Sequence, residues 1–213
     1  MINIHFAFNS EPIAYKQFDA LVKSLPPGLV ENFGRYTRWQ DQQAALLGKL
    51  LLHHALKKNG CTEPFILHYS THQRPYLDIP IDFNISHSSN LVVCATTNHG
   101  RIGVDVEEIK SIDFETFKNV MSVAQWQEIL TSKNPTTSFY RYWTQKESLI
   151  KADGKGISNI SLNEIRIHND ESYLNGQNWF VLDLPLHPSY SGSLAFNEKQ
   201  DVKIEQFFAQ VCA

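Results

Sequence analysis

A chain of 213 residues and 24.4 kDa, 42% hydrophobic, 12% aromatic and 19% charged, has room for one large domain or two small ones and an ordinary globular composition, which excludes disordered and fibrous classes. Nineteen Lys and Arg against 22 Asp and Glu leave a net charge of −3, which argues against a nucleic-acid partner while leaving room for local recognition of a small anion. The apolar runs Ala44–Leu52 and Leu91–Ala95 fall short of the roughly 20 residues a membrane span needs. Met1–Ser10 lacks the basic and apolar regions of a secretory signal, so a cytoplasmic location without a membrane partner is expected.

In chain order, the first strong periodicity is a helix over residues 39–59, with Ala44, Leu47, Leu51 and Ala55 at helical spacing and Gly60 as its stop. The polar segment Phe83-Asn84-Ile85-Ser86-His87-Ser88-Ser89-Asn90 is strand-like at Phe83–Ile85 and has the composition of a Ser/Asn-rich turn beyond. Leu91–Thr97, Asn98-His99-Gly100 and Arg101–Glu107 read as strand, turn and strand, a tight hairpin in which Asn and Gly tolerate positive φ. Ser122 followed three residues later by Gln125 has the form of a capping box, opening a helix to about Thr131 before Lys133-Asn134-Pro135 breaks the chain. A second long helix starts after Pro135, carries Phe139, Trp143 and Ile150 on one stripe and ends before Gly154. Beyond Gly156, strands are expected at Ile160–His168, Trp179–Leu184, Tyr190–Phe196 and Val202–Phe208. Helices alternating with mostly hairpin-linked strands suggest an α+β fold. Each half, 1–100 and 101–213, offers a long helix and several strands.

Cys61, Cys94 and Cys212 form no CxxC pair and read as buried or incidental thiols. The neighbours His53 and His54 point about 100° apart on a helix, and HExxH is nowhere present, so the nine histidines signal no metal site.

Ile102-Gly103-Val104-Asp105-Val106-Glu107 alternates across a strand, placing Asp105 and Glu107 side by side on the face opposite Val104 and Val106. Paired carboxylates repel each other unless a cation or donors intervene, and oxygen-only ligands suit a hard ion such as Mg²⁺, with Mn²⁺ as a substitute. The bland alternative is a solvent-facing acidic strand. Glu147 lies at the edge of the apolar stripe of the helix over 139–153 and can complete a three-oxygen site; its alternative is an i,i+4 ion pair with Lys151. Lys146, Lys151 and Lys155 add cations that can meet a phosphate or the oxygen leaving it. Ser86, His87 and the backbone amides around them can cup a phosphate.

Taken in order, FNISHS at 83–88, IGVDVE at 102–107 and WTQKESLIKADGKG at 143–156 resemble the signature set of the 4′-phosphopantetheinyl transferases, in their Sfp-type, pseudodimeric branch. ALLGKLLL at 45–52 and YSTHQRPYLD at 69–78 extend the resemblance over most of the chain. It implies a pseudodimer of two similar α+β halves, each a long helix packed on a small mostly antiparallel sheet, with the active site in the cleft between them and a monomeric protein. It implies transfer of the phosphopantetheine arm of coenzyme A to a serine of an apo acyl or peptidyl carrier protein, releasing adenosine 3′,5′-bisphosphate. By motif position, Asp105, Glu107 and Glu147 would be the Mg²⁺ ligands, Ser86 and His87 would hold coenzyme phosphates, and Lys151 would contact the pyrophosphate and stabilise or protonate the leaving oxygen. Lys146 and Lys155 join the coenzyme set, while Trp143 packs the helix. Gln73-Arg74-Pro75 stands where the family commonly has Gly-Lys-Pro, so Arg74 takes the cationic role; Leu29, Asn32 and Ala44 fall near the family's basic N-terminal positions, leaving Arg35 and Arg38 as substitutes. Gln125 stands near the position of a family glutamate, and because an amide has no useful basicity, deprotonation of the serine falls to Glu147 or to water on the metal. The competing readings are a non-catalytic carrier-protein or coenzyme A-binding module and a metal-dependent phosphohydrolase.

Overall fold

A computed structural model describes residues 1–61, 65–156 and 160–208; Cys212 lies outside them. In chain order the elements are β1 (Ile2–Phe8), α1 (Tyr15–Lys23), α2 (Trp39–Lys58), β2 (Leu67–Tyr69), β3 (Pro75–Leu77), β4 (Asp82–Ser88), β5 (Leu91–Thr97), β6 (Ile102–Glu108), α3 (Val123–Thr131), α4 (Pro135–Asp153), β7 (Ile167–His168), β8 (Glu171–Leu174), β9 (Gln177–Asp183), β10 (Tyr190–Phe196) and β11 (Val202–Gln206). The α+β class expected from the alternation of elements is the one observed. Two compact units result: Met1–His99 with Gln200–Ala213, and Gly100–Lys199. No helix among the described residues is long and apolar enough to cross a membrane.

In the first unit a sheet of order β11-β1-β5-β4 carries α2, whose Leu46, Leu47, Leu51, Leu52 and Leu56 are buried in the core with Phe83, Val92 and Cys94. Gly48 lets the helix approach the sheet, since a Cβ there would stand 3.0 Å from the Ile85 side chain. Burial in this core pushes the Cys94 thiol up, so it is an inert apolar filler. The last strand belongs here too: β11 runs parallel to β1, with Ile2 opposite Val202 and Ile4 opposite Ile204. This differs from the expected C-terminal half of 101–213, because the ladder that satisfies β11 is offered by residues at the other end of the chain.

In the second unit the sheet order is β6-β10-β9-β8-β7, and α4 packs on it. Leu149, Ile150 and Ala152 meet Trp179, Val181 and Ala195. A separate aromatic cluster forms where α3 meets α4, with Phe139 ringed by Phe114, Phe117, Trp126, Tyr140 and Trp143 at centroid distances of 5.3–6.2 Å. The capping box at Ser122 and Gln125, the Pro135 start of α4 and its left-handed Gly154 stop (φ 72°) are all present.

Two further sequence expectations fail. The hairpin over 91–107 does not form: β5 pairs with β1 and β4, β6 pairs with β10, and the turn at 98–100 carries the chain from one sheet to the other. Of the strand expected over Ile160–His168, Leu162–Glu164 form a 3₁₀ turn and only Ile167–His168 pair.

His5 on β1 is 1% exposed, with Nε2 3.3 Å from Glu205 of β11 and its ring edge-on to His54 of α2 at 5.0 Å. Burial, helped by His54 and Lys58 and opposed by Glu205, lowers its pKa to about 4. An unfolded histidine titrates near 6.5, so the unfolded chain takes up the proton first as pH falls. Stability contributed by neutral His5 is complete above about pH 6.5 and is lost as the pH drops toward 4, by about 3 kcal/mol in all. Urea midpoints at pH 7.5 and 5.0 should differ more for the native chain than for His5→Phe, and equal differences would reject the assignment.

Candidate active site

The second unit builds a cluster of charge from β6 and α4. Along β6 the pleat sends Val104 and Val106, both 0% exposed, into the core and turns Asp105 and Glu107 to the other face. Asp105 lies opposite Ser193 and Glu107 opposite Ser191 on β10. The acidic strand is not solvent-facing: Asp105 is only 3% exposed. Gly103 brings α4 against the strand, because a Cβ at that residue would stand 2.1 Å from the Ser148 carbonyl oxygen and 2.3 Å from the Ala152 nitrogen.

Glu147 is half-buried on α4, and its carboxyl is pushed above the ordinary range first by burial, then by the charge of Asp105, with Glu107 adding to the effect and Lys151 opposing it. Lys151, one turn further along α4, places Nζ 2.6 Å from Oδ1 of Asp105. Asp105, Glu107, Glu147 and Lys151 therefore share one electrostatic neighbourhood. Among the described residues no three His, Cys, Asp or Glu side chains stand close enough together to hold an ion. The acidic members of the cluster offer carboxylate oxygens, the ligand class that a hard divalent cation takes, with the Lys151 ammonium paired to one of them.

Lys146 requires a correction. It is 0% exposed, and its ammonium donates to Val120 O, Gln125 Oε1 and Leu162 O, each at 2.8 Å. A lysine ammonium has three protons, so none remains for a coenzyme. Desolvation, helped by Arg166, pushes its pKa down, while three oxygen acceptors favour the charged form. Sequence reasoning missed this because a lysine between Gln145 and Glu147 reads as polar surface. The signal that could have found it is the pairing with Gln125, whose amide also accepts from Ser122 N and donates to Ile165 O. A lost cap costs about 0.5–2 kcal/mol, and withdrawing a neutral acceptor from a buried ammonium costs about 1.5–3 kcal/mol more. Gln125→Ala should accordingly lower the urea-derived stability by about 3 kcal/mol; a loss no larger than that of Ser122→Ala would show that the Lys146 contact contributes nothing.

Lys155 lies beyond the helix stop, mostly exposed, 3.6 Å from Asp153. Trp143 packs as expected, against Phe117 and Phe139.

The remaining candidates lie in the first unit. Ser86 and His87 fall within β4 rather than in a turn, opposite Val93 and Val92 of β5. Ser86 is buried and His87 exposed, so strand alternation turns the two side chains to opposite faces and they cannot cup one phosphate jointly. Arg74 is held bidentately by Asp82 at 2.7 and 2.8 Å, with both side chains largely buried, so its guanidinium ties the β3 turn to β4. Arg35 donates to the Tyr36 hydroxyl at 2.7 Å and pairs with Glu31, while Arg38 stands at the start of α2, 4.0 Å from Asp41. Both are exposed. Lys49, which the sequence does not single out, is mostly buried beside Glu31 at 3.9 Å.

Two family models match the chain. Residues 101–205 match the 4′-phosphopantetheinyl transferase superfamily, and residues 11–99 match the N-terminal region of 4′-phosphopantetheinyl transferase. The 4′-phosphopantetheinyl transferase gsp of Aneurinibacillus migulanus is 32% identical over 81% of this chain and 73% of its own length. The chain belongs to the 4′-phosphopantetheinyl transferase superfamily, in its Sfp-type branch. The transferase Sfp of Bacillus subtilis is 28% identical, with 79% of this chain and 78% of that one covered. The human L-aminoadipate-semialdehyde dehydrogenase-phosphopantetheinyl transferase is 28% identical over 64% of this chain and 50% of its own.

Proposed function

We propose that the chain transfers 4′-phosphopantetheine from coenzyme A to a serine hydroxyl of an apo acyl or peptidyl carrier protein, with Asp105, Glu107 and Glu147 holding Mg²⁺. The observation that carries this reading is the neighbourhood of Asp105, Glu107, Glu147 and Lys151 on β6 and α4 in a chain of this family. The serine oxygen bonds to the β-phosphorus, the bond from that phosphorus to the bridging oxygen breaks, and adenosine 3′,5′-bisphosphate departs with the electron pair. The serine proton needs an acceptor. Glu147, beside Asp105 in the same cluster, or a water held there takes it in this reading. Lys151 offers a cation to the pyrophosphate and a proton to the departing oxygen. When bound, the divalent ion neutralises charge on the pyrophosphate.

His87, exposed on β4, together with Arg35 and Arg38, supplies first-unit groups for the coenzyme phosphates in this reading.

Incubation with apo carrier protein, coenzyme A and Mg²⁺, followed by intact mass, tests it. A phosphopantetheine-sized gain on the carrier is the expected result. Coenzyme binding without a gain would make the chain a binding module, and coenzyme loss without carrier modification would make it a hydrolase.

A further inference from the structure

The buried ammonium of Lys146 touches neither solvent nor any group free to react, yet it sits beside Glu147 in sequence. Its three protons meet acceptors from three places: Val120 O in the segment before α3, Gln125 Oε1 within α3, and Leu162 O in the 3₁₀ turn before β7. Gln125 extends the tie by donating to Ile165 O. One side chain of α4 is thereby fastened to two chain segments that are otherwise about 40 residues apart in sequence.

Burying an ammonium is costly, and three neutral acceptors compensate less than a carboxylate would. A methionine or leucine would fill the same space at lower cost. What the apolar residue would lack is direction, because three hydrogen bonds fix the rotation of the helix about its axis while apolar packing tolerates small turns. Successive helical residues are about 100° apart, so fixing the bearing of residue 146 fixes that of residue 147. With a helix radius of about 5–6 Å including side chains, a rotation of about 10° moves a carboxylate by about 1 Å. A misplacement of that size can cost about a hundredfold in rate.

We propose that Lys146 is a positioning residue: through Val120, Gln125 and Leu162 it sets the rotation of α4 and so the placement of Glu147 in the transfer site, without touching coenzyme A. This rests on the transferase reading above. It assigns Gln125 the matching role of an acceptor that holds the lysine, not of a base.

Steady-state transfer by Lys146→Met, measured well below the melting temperature of the variant and against varied coenzyme A, tests it. The expected result is a kcat lower by about a hundredfold with KM for coenzyme A within twofold of the native value. Gln125→Met, which keeps the volume and removes one of the three acceptors, should lower kcat by about tenfold with KM again unchanged, and it provides the test if Lys146→Met does not fold. A KM raised tenfold or more with kcat retained would make Lys146 a coenzyme ligand after all. Native kcat and KM in a folded variant of lowered melting temperature would reduce it to a stability element. Failure of the native chain to modify any carrier would instead reject the transferase reading itself.

Discussion

Asp105→Ala, Glu107→Ala and Glu147→Ala should each lower phosphopantetheine transfer by about a thousandfold. The ion that the three carboxylates would hold contributes several kcal/mol of charge stabilisation, and each 1.36 kcal/mol is tenfold in rate. The physical basis is burial together with the crowding of like charge: Glu147 is pushed up first by desolvation and then by Asp105 and Glu107. The same crowding gives the stability change the opposite sign. Removing the Glu147 charge relieves repulsion and desolvation, so Glu147→Gln in EDTA should melt at or above the native temperature while transfer is lost. Asp105→Ala should melt lower, because it leaves Lys151 without the carboxylate 2.6 Å away. Initial rates from intact carrier mass, with melting curves on the same samples, check both signs. Transfer within tenfold of native in any two of the three alanine variants would remove the cluster from the mechanism.

Gly103→Ala should abolish the native fold of the second unit or destabilise it by more than about 3 kcal/mol. The added methyl carbon would stand 2.1 Å from Ser148 O, 2.3 Å from Ala152 N and 2.9 Å from Ala152 Cα. These are backbone atoms of a helix and cannot rotate away as a side chain would. The helix would have to lift from β6, yet its other contacts oppose that: Thr144 meets the Ser191 hydroxyl at 3.1 Å, Ser148 meets Ser193 at 3.3 Å, and Gln145 donates to Asp183 at 2.9 Å. Gly34→Ala, where the nearest atom is a flexible Asn32 oxygen at 3.3 Å, is the matched control and should change stability little. A urea midpoint for Gly103→Ala close to that of Gly34→Ala would show that α4 can move away from β6 freely.

Much of the local structure was legible in the residues. The 3.6-residue period of Ala44, Leu47, Leu51 and Ala55 marks α2, and Ser122 with Gln125, Pro135 and Gly154 marks the ends of α3 and α4, because capping and helical periodicity depend on neighbours within one or two turns. The alternation over 102–107 placed Asp105 and Glu107 on one face for the same reason. The short strands β2, β3 and β8 are too brief to show a period, and only their pairing partners define them.

By itself, then, the sequence determined the family, the two long helices, the α+β class and the carboxylates of β6, since these follow from residue types at short spacings. Tertiary structure alone decided which strands pair: β5 and β6, adjacent in the chain, enter different sheets, and β11 returns to lie beside β1. It also decided which charged residues meet solvent. Lys146 and Lys155 stand nine residues apart in one motif, yet the first is fully buried with three acceptors and the second is mostly exposed. The reason is that burial is a property of the surface a side chain packs against, and for Lys146 that surface comes from segments near residues 120, 125 and 162, which no local pattern brings together.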